Sequence, residues 1–292
     1  MKVGVDFAKL TWTGGDAALG ATAAETIQIA DEAGFSTIAA MDHFFQIPMV
    51  GAVDEPMVDG YTFLGFAAGL TQRAKLQLIV TGVTYRHPGL LAKIVTTLDV
   101  LSGGRANLGI GAAWYEDEHL GLGVPFPSVS ERFERLDETL QICRQMWSDD
   151  DGPFEGTHYQ LARTLNRPQC LSSPHPEIMI GGMGPKKTLR LAARYADAVN
   201  WFPIGKEGFE ALGRTFAEHC ETEGTDPDRV RRTALSFPPD TSDDSAVSKW
   251  LVDQEMYASL GVDEIYLAPP SADPRADVEA WAKVLLPRLA EI

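Results

Sequence analysis

Short apolar runs alternate along this chain with longer segments whose apolar positions recur at helical spacing. The first run, KVGVDF (Lys2 to Phe7), reads as a strand. A helix from about Gly20 to Ala33 follows, with Ala24, Ile27 and the Ala30–Ala33 pair on one face and Gly34 at the stop position. STIAAMDH is the second strand, YTFLGFAAGLT the second helix and LQLIVTGV (Leu76 to Val83) the third strand. Pro88 then opens GLLAKIVTTLDVLSGG, a helix begun by proline and ended by glycines. RANLGIGAAW (Arg105 to Trp114) is the fourth strand, and the amphipathic stretch Glu131 to Trp147 the fourth helix. After a polar interruption the alternation resumes with strands at Glu177–Met183, Asp197–Phe202, Arg231–Phe237 and Asp263–Pro269. Each is followed by a helical segment: KKTLRLAARYA, GFEALGRTFAEHCETEG, AVSKWLVDQEMYASLG and DVEAWAKVLLPRLAEI.

Eight strand-then-helix units, several with strands apolar on both faces, predict an α/β fold of the (β/α)8 TIM-barrel type spanning residues 1–292 as one domain. A doubly wound open sheet is the alternative. Two long connections stand out, Tyr115 to Ser130 after the fourth strand and Ser148 to Pro176 before the fifth. Connections of that length are usually lids or insertions. The second holds FEGTHYQL, whose alternation suggests a small hairpin outside the barrel. In a barrel the carboxyl ends of the strands form the active-site mouth, which places Asp42 and His43 there.

Composition narrows the chemistry. The formal net charge is -16, which argues against a general nucleic-acid or anionic-membrane binder. Three cysteines, Cys143, Cys170 and Cys220, show no C-x-x-C or zinc spacing, and a reducing cytosol is the simplest setting. No apolar run approaches the roughly 20 residues of a membrane-spanning helix, and MKVGVDF carries no signal-sequence pattern. The expectation is a cytoplasmic protein acting on a small molecule.

Histidine exchanges protons near physiological pH, so His43 is a candidate acid–base group, although Asp42 and His43 also suit a structural hydrogen-bonded pair. Neighbours on a strand point to opposite faces, so one would face the pocket while the other anchors the loop. In IMIGGMGPKKTLR, the glycines Gly181, Gly182 and Gly184 lie between a strand and a helix beginning near Pro185. Such a turn lets backbone approach an anion at a helix start; a plain glycine turn is the alternative. GIGAAW (Gly109 to Trp114) reads as close backbone packing at the mouth, and Arg86-His87 as an extended loop before Pro88. No metal spacing and no G-x-S-x-G elbow is present. Phe44, Phe45, Trp114, Tyr115, Trp201 and Phe202 collect at strand ends, which favours a planar ring ligand held by stacking.

Taken together, AAMDHFFQIP, VTGVTYRHPGLLAKIVTTLDVLSGGRANLGIGAAWYEDEH, VPFPSVSERFERLDETLQICRQMW, LNRPQC and PEIMIGGMGPKKTLRLAARYADAVNWF resemble the bacterial-luciferase-like oxidoreductases over nearly the whole chain. The similarity is strongest to the branch that uses the deazaflavin coenzyme F420. The resemblance implies hydride transfer between F420 and a small organic substrate, with His43 as proton donor or substrate-orienting residue and Asp42 as a ring contact. It further implies a bulge after the third strand, Thr81, Gly82 and Val83, supporting the ring from behind, with a non-prolyl cis peptide at Gly82–Val83. Gly111 and Ala112 would border the ring, and Gly181, Gly182, Met183 and Gly184 would hold the cofactor phosphate. Phe44, Trp114, Tyr115 and Trp201 would shape the substrate pocket. Family members with a catalytic glutamate after the fourth strand carry it where this chain has Trp114; Glu116, Asp117 and Glu118 follow nearby. The resemblance implies a homodimer, and a flavin mononucleotide (FMN) monooxygenase fed reduced flavin by a partner reductase is the main rival. A non-catalytic cofactor-binding protein and a metal-dependent barrel hydrolase are the readings from other classes.

Overall fold

A computed structural model describes residues 1–292. The elements run β1 (Lys2–Phe7), α1 (Asp16–Ala33), β2 (Thr37–Ala40), α2 (Gly60–Leu70), β3 (Lys75–Leu78), β4 (Thr81–Gly82), α3 (Pro88–Ser102), β5 (Leu108–Gly111), α4 (Glu116–Leu122) and α5 (Val129–Met146). They continue with β6 (Phe154–Glu155), β7 (Gln160–Leu161), β8 (Ile178–Gly181), α6 (Thr188–Tyr195), β9 (Ala198–Trp201), α7 (Gly205–Glu223), β10 (Arg231–Ser236), α8 (Asp244–Ser259), β11 (Val262–Leu267) and α9 (Pro274–Leu289).

The parallel sheet runs in the order β3-β2-β1-β11-β10-β9-β8-β5-β4. β3 and β4 are two pieces of the expected third strand, so β3 at one edge and β4 at the other bring the sheet around on itself. A bridge between Leu76 and Ala106, with the Asn107 amide donating to the Leu76 carbonyl at 2.9 Å, closes the barrel. The open-sheet alternative is thereby excluded. Burial on both faces explains the continuous apolar strands: in β1 only Lys2 is exposed.

The third strand breaks at a cis peptide between Ile79 and Val80, three residues earlier than the Gly82–Val83 bond expected from the sequence. Closing the barrel beside this bulge demands side chains of no size. A Cβ on Gly109 would lie 2.0 Å from the Leu78 carbonyl oxygen, and one on Gly181 would lie 2.8 Å from Val80 Cγ1. The glycines of GIGAAW and of the fifth barrel strand are therefore the counterpart of the bulge.

Local signals place the helices. Asp59 caps α2 by accepting from the Thr62 amide at 2.8 Å, and Ser128 caps α5 by accepting from Glu131 at 3.3 Å. His87, read from the sequence as part of an extended loop before Pro88, caps α3 by accepting from the Gly89 amide at 3.3 Å. The hairpin within Ser148–Pro176 forms as β6 and β7. The Tyr115–Ser130 connection differs from a structureless loop, because Glu116–Leu122 is helical. That helix is short and lies behind two aromatics, so periodicity alone does not reveal it.

Candidate active site

A cavity of about 630 Å³ opens at the carboxyl ends of the strands. Its wall takes residues from β1, the β2 end, the β3–β4 bulge, the β5 end and the β8–α6 turn, together with β9, β10 and β11.

His43 follows β2 and lines this cavity. Its Nδ1–H donates to Glu118 Oε1 at 3.2 Å, which leaves Nε2 without a protein partner. Glu118 is fully buried at the first turn of α4, and its other oxygen accepts the amides of Phe44 at 2.5 Å and Phe45 at 2.8 Å. The Tyr85 hydroxyl donates to Oε1 as well. Burial alone would raise the Glu118 carboxyl, but the bonds from His43, Phe45 and Tyr85 outweigh it and hold the group below the usual carboxylate range. Glu118 stays ionised and fixes both the His43 ring and the turn that carries it. Next to it, His119 is fully buried and donates Nδ1–H to the Tyr115 carbonyl at 2.7 Å while Nε2 accepts from Thr84 at 2.6 Å. That ring is a structural pin.

Asp42 has a different job from His43. It accepts from Arg86 Nη1 at 2.9 and 2.7 Å and from the Gly82 amide at 3.0 Å. Arg86 also reaches Asp59 at 2.8 Å and lies over the Tyr61 ring. Burial pushes the Asp42 carboxyl up, against the pull of Arg86 and the Gly82 amide. The carboxylate thus ties the β2 end to the bulge, at the lining residues Thr81 and Gly82.

Val80 fills the space left open by Gly111 and Gly181, with Cγ atoms 3.0 and 2.8 Å from where their Cβ atoms would lie. The bulge, Gly111 and Ala112 therefore make one smooth stretch of wall. Ala113 beyond them has φ +59°, a strained value for a residue with a side chain and one that clusters at functional sites. Beside this wall Gly181, Gly182 and Thr188 reach the cavity. Gly182 has φ +115° and a Cβ on Gly184 would lie 2.7 Å from Thr188 Oγ1, so a larger residue would fill the space before α6. A flat ring fits the smooth wall, and an anionic tail fits the cradle in front of α6.

Several expected site residues lie elsewhere. Trp201 is 1% exposed and packs against Phe209 and Phe216, because its neighbour Asn200 takes the inward position on β9. Phe44, whose backbone N–H donates to Glu118, is turned edge-on to Tyr85 at 5.2 Å. Tyr115 is buried behind Trp114, stacked at 5.1 Å; only Trp114 reaches the cavity. Val83 is buried in the core, while Met183 and Gly184 belong to the turn but not to the cavity wall. Wall residues not foreseen include Asp6, Val80, Tyr85 and Arg132. Asp6 was hidden inside an otherwise apolar strand, where alternation is the one available signal.

A match to the family described as Luciferase-like monooxygenase spans residues 4–284. An F420-dependent glucose-6-phosphate dehydrogenase from Beutenbergia cavernae is 26% identical over 318 aligned positions, covering 89% of this chain and 91% of that protein. Among solved structures, an F420-dependent secondary alcohol dehydrogenase in complex with an F420-acetone adduct superposes with TM-score 0.81 at 19% identity, covering 97% of this chain and 98% of that one. The monooxygenase RslO1 from Streptomyces bottropensis superposes with TM-score 0.78 at 20% identity, covering 99% of both chains. Matched by the family over residues 4–284 and closed into a parallel barrel, the chain belongs to the luciferase-like monooxygenase family of oxidoreductases.

Proposed function

We propose that this oxidoreductase transfers a hydride between coenzyme F420 and a small organic substrate. The observation that carries the reading is the buried Glu118 holding His43 on the cavity wall with Nε2 unengaged. A hydride transfer to or from a carbon–oxygen bond needs one positioned proton acceptor or donor, and that constellation supplies it.

Bound F420 would supply the hydride acceptor or donor. Val80, Gly111 and Ala112 would carry its ring, and Gly181, Gly182 and Thr188 its phosphate-bearing tail. His43 Nε2 takes the proton leaving a substrate oxygen, or returns it in the reverse direction. Glu118 keeps the ring in the tautomer with Nδ1 protonated and stabilises the imidazolium that results. Asp42 holds the bulge by its bond to the Gly82 amide.

Titration of the purified protein with F420 and with FMN, each oxidised and reduced under anaerobic conditions, tests the assignment. Saturable binding of F420 supports it. Tight binding of FMN with none of F420 would shift the reading to a flavin monooxygenase.

A further inference from the structure

Asp6, near the end of β1, is 5% exposed and lines the cavity, yet its buried Oδ1 has no hydrogen-bond partner. It pairs in register with Ala39 of β2, so it lies deeper in the barrel than His43, which follows that strand. A buried carboxyl without a donor is costly to the fold unless a ligand supplies one. Burial pushes its pKa up to about 7. Nothing in the hydride-transfer scheme uses it.

The charge around it is sparse. Two cationic side chains reach the cavity, Lys9 and Arg132. Arg132 donates to the Pro127 carbonyl at 2.8 Å and lies 4.0 Å over the Phe126 ring. It stands beside the glycine turn, where Lys187 crosses to Ser130 and Phe133 on α5. Lys9 follows β1 and has Glu55 for a neighbour. A phosphate group is recognised by several converging cationic donors, and one lysine set against carboxylates does not make such a site. The rim is apolar: Met49, Trp114, Phe202 and Phe237 line the cavity while remaining 69%, 52%, 40% and 77% exposed. Large apolar side chains left open around a mouth mark a surface that a ligand covers.

Resting on the reading above, we infer that the substrate is a neutral, largely apolar molecule that carries, besides the oxygen facing His43, a second hydroxyl group, its body inside the Met49–Trp114–Phe202–Phe237 rim and that second hydroxyl donating to Asp6. Asp6 is then a specificity residue that also excludes anions from the inner end of the cavity.

Isothermal titration calorimetry of the full-length protein, with cyclohexanol and glucose 6-phosphate as probes, tests this. The same preparation is first titrated with F420, so that failure of the cofactor reading shows separately from failure of the substrate class. Cyclohexanol is expected to bind saturably, and glucose 6-phosphate to give no saturable heat at the same concentrations. Asp6→Leu should weaken cyclohexanol about threefold to tenfold through loss of a buried hydrogen bond. Phe237→Ala alters an exposed side chain that the fold does not depend on, and should weaken it roughly threefold by removing covered apolar surface. Glucose 6-phosphate binding more tightly than cyclohexanol, or both variants binding cyclohexanol like the unmodified protein, would overturn the inference.

Discussion

His43 and Glu118 come from different barrel units, yet Nδ1 and Oε1 lie 3.2 Å apart, with the carboxylate fully buried and the imidazole on the cavity wall. Glu118 serves the chain twice, because the amides of Phe44 and Phe45 that it accepts fix the turn on which His43 rides. The placement of the His43 ring on the cavity wall and the fold of its turn therefore depend on one side chain.

His43→Ala should lower kcat about 10²- to 10⁴-fold with F420 affinity retained, as expected for removal of a positioned acid–base group. Glu118→Gln should lower kcat as well, and should cost about 1–3 kcal/mol of stability because the amide cannot accept from every donor now satisfied. The pH dependence distinguishes the two variants. Glu118 has a depressed folded pKa, so its contribution to stability is present above the unfolded value of 4.5 and is lost as pH falls through the lower folded value. Thermal unfolding from neutral to acidic pH should show a smaller loss for Glu118→Gln than for the unmodified protein, while His43→Ala retains the carboxylate and should keep a loss on acidification. Equal slopes for Glu118→Gln and the unmodified protein would refute this.

Arg86→Leu should be the most damaging single change around the site. It leaves the buried Asp42 carboxylate uncompensated, and breaking such a pair costs about 3–5 kcal/mol. Adding Asp42→Asn should recover a substantial part of that loss, because the stranded charge is gone. Denaturant midpoints of the two single variants and the double variant measure the coupling; additive effects would mean that the pair is not coupled.

The barrel was legible because its strands are apolar on both faces and its helices carry their own caps, so local preference and global pattern agree. The site was only half legible. His43 announced itself as a polar residue after an apolar strand, and Gly181 and Gly182 as a turn before a helix. Glu118 was visible only as one of three acids after the fourth strand, since its value comes from four donors brought to it by the loop after β2 and by Tyr85, none of them near in sequence. Trp201 was misplaced for a related reason: in a strand buried on both faces, an aromatic residue gives no sign of which face it takes, and Asn200 decides it. The cis bond was misplaced by three residues because the whole stretch from Leu78 to Val83 is apolar or small, with nothing in it to mark where the strand breaks.

Gly181→Ala should weaken F420 binding. The new Cβ would lie 2.8 Å from Val80 Cγ1, so either the bulge or the turn has to give. Val80→Ala removes that obstruction, so the double variant should bind more tightly than Gly181→Ala alone. Dissociation constants for the four proteins form a cycle. An unchanged constant for Gly181→Ala would separate the cofactor from this wall.

Asp6→Asn should change how stability varies with pH, independently of any ligand. Its folded pKa is raised to about 7 by burial, so between the ordinary carboxyl value of 3.8 and about 7 the carboxyl holds its proton in the folded chain and loses it on unfolding. The sign follows from proton counting: between those two values the folded state binds more protons, and stability falls as pH rises. The contribution is fully present below 3.8 and is lost as pH passes through about 7. Above that point the ionised carboxylate destabilises the fold by an amount of order 4 kcal/mol, taking 1.36 kcal/mol per unit. The other titratable groups on the same wall, Lys9, Asp42, His43, Tyr85, Arg132 and Tyr266, remain in the variant and cancel in the comparison. Asp6→Asn should therefore gain stability over the unmodified protein at pH 8 and show a smaller difference at pH 5, measured by urea unfolding in matched ionic strength. The opposite order would mean that Asp6 is paired in solution, and the open carboxyl on the cavity floor would not exist.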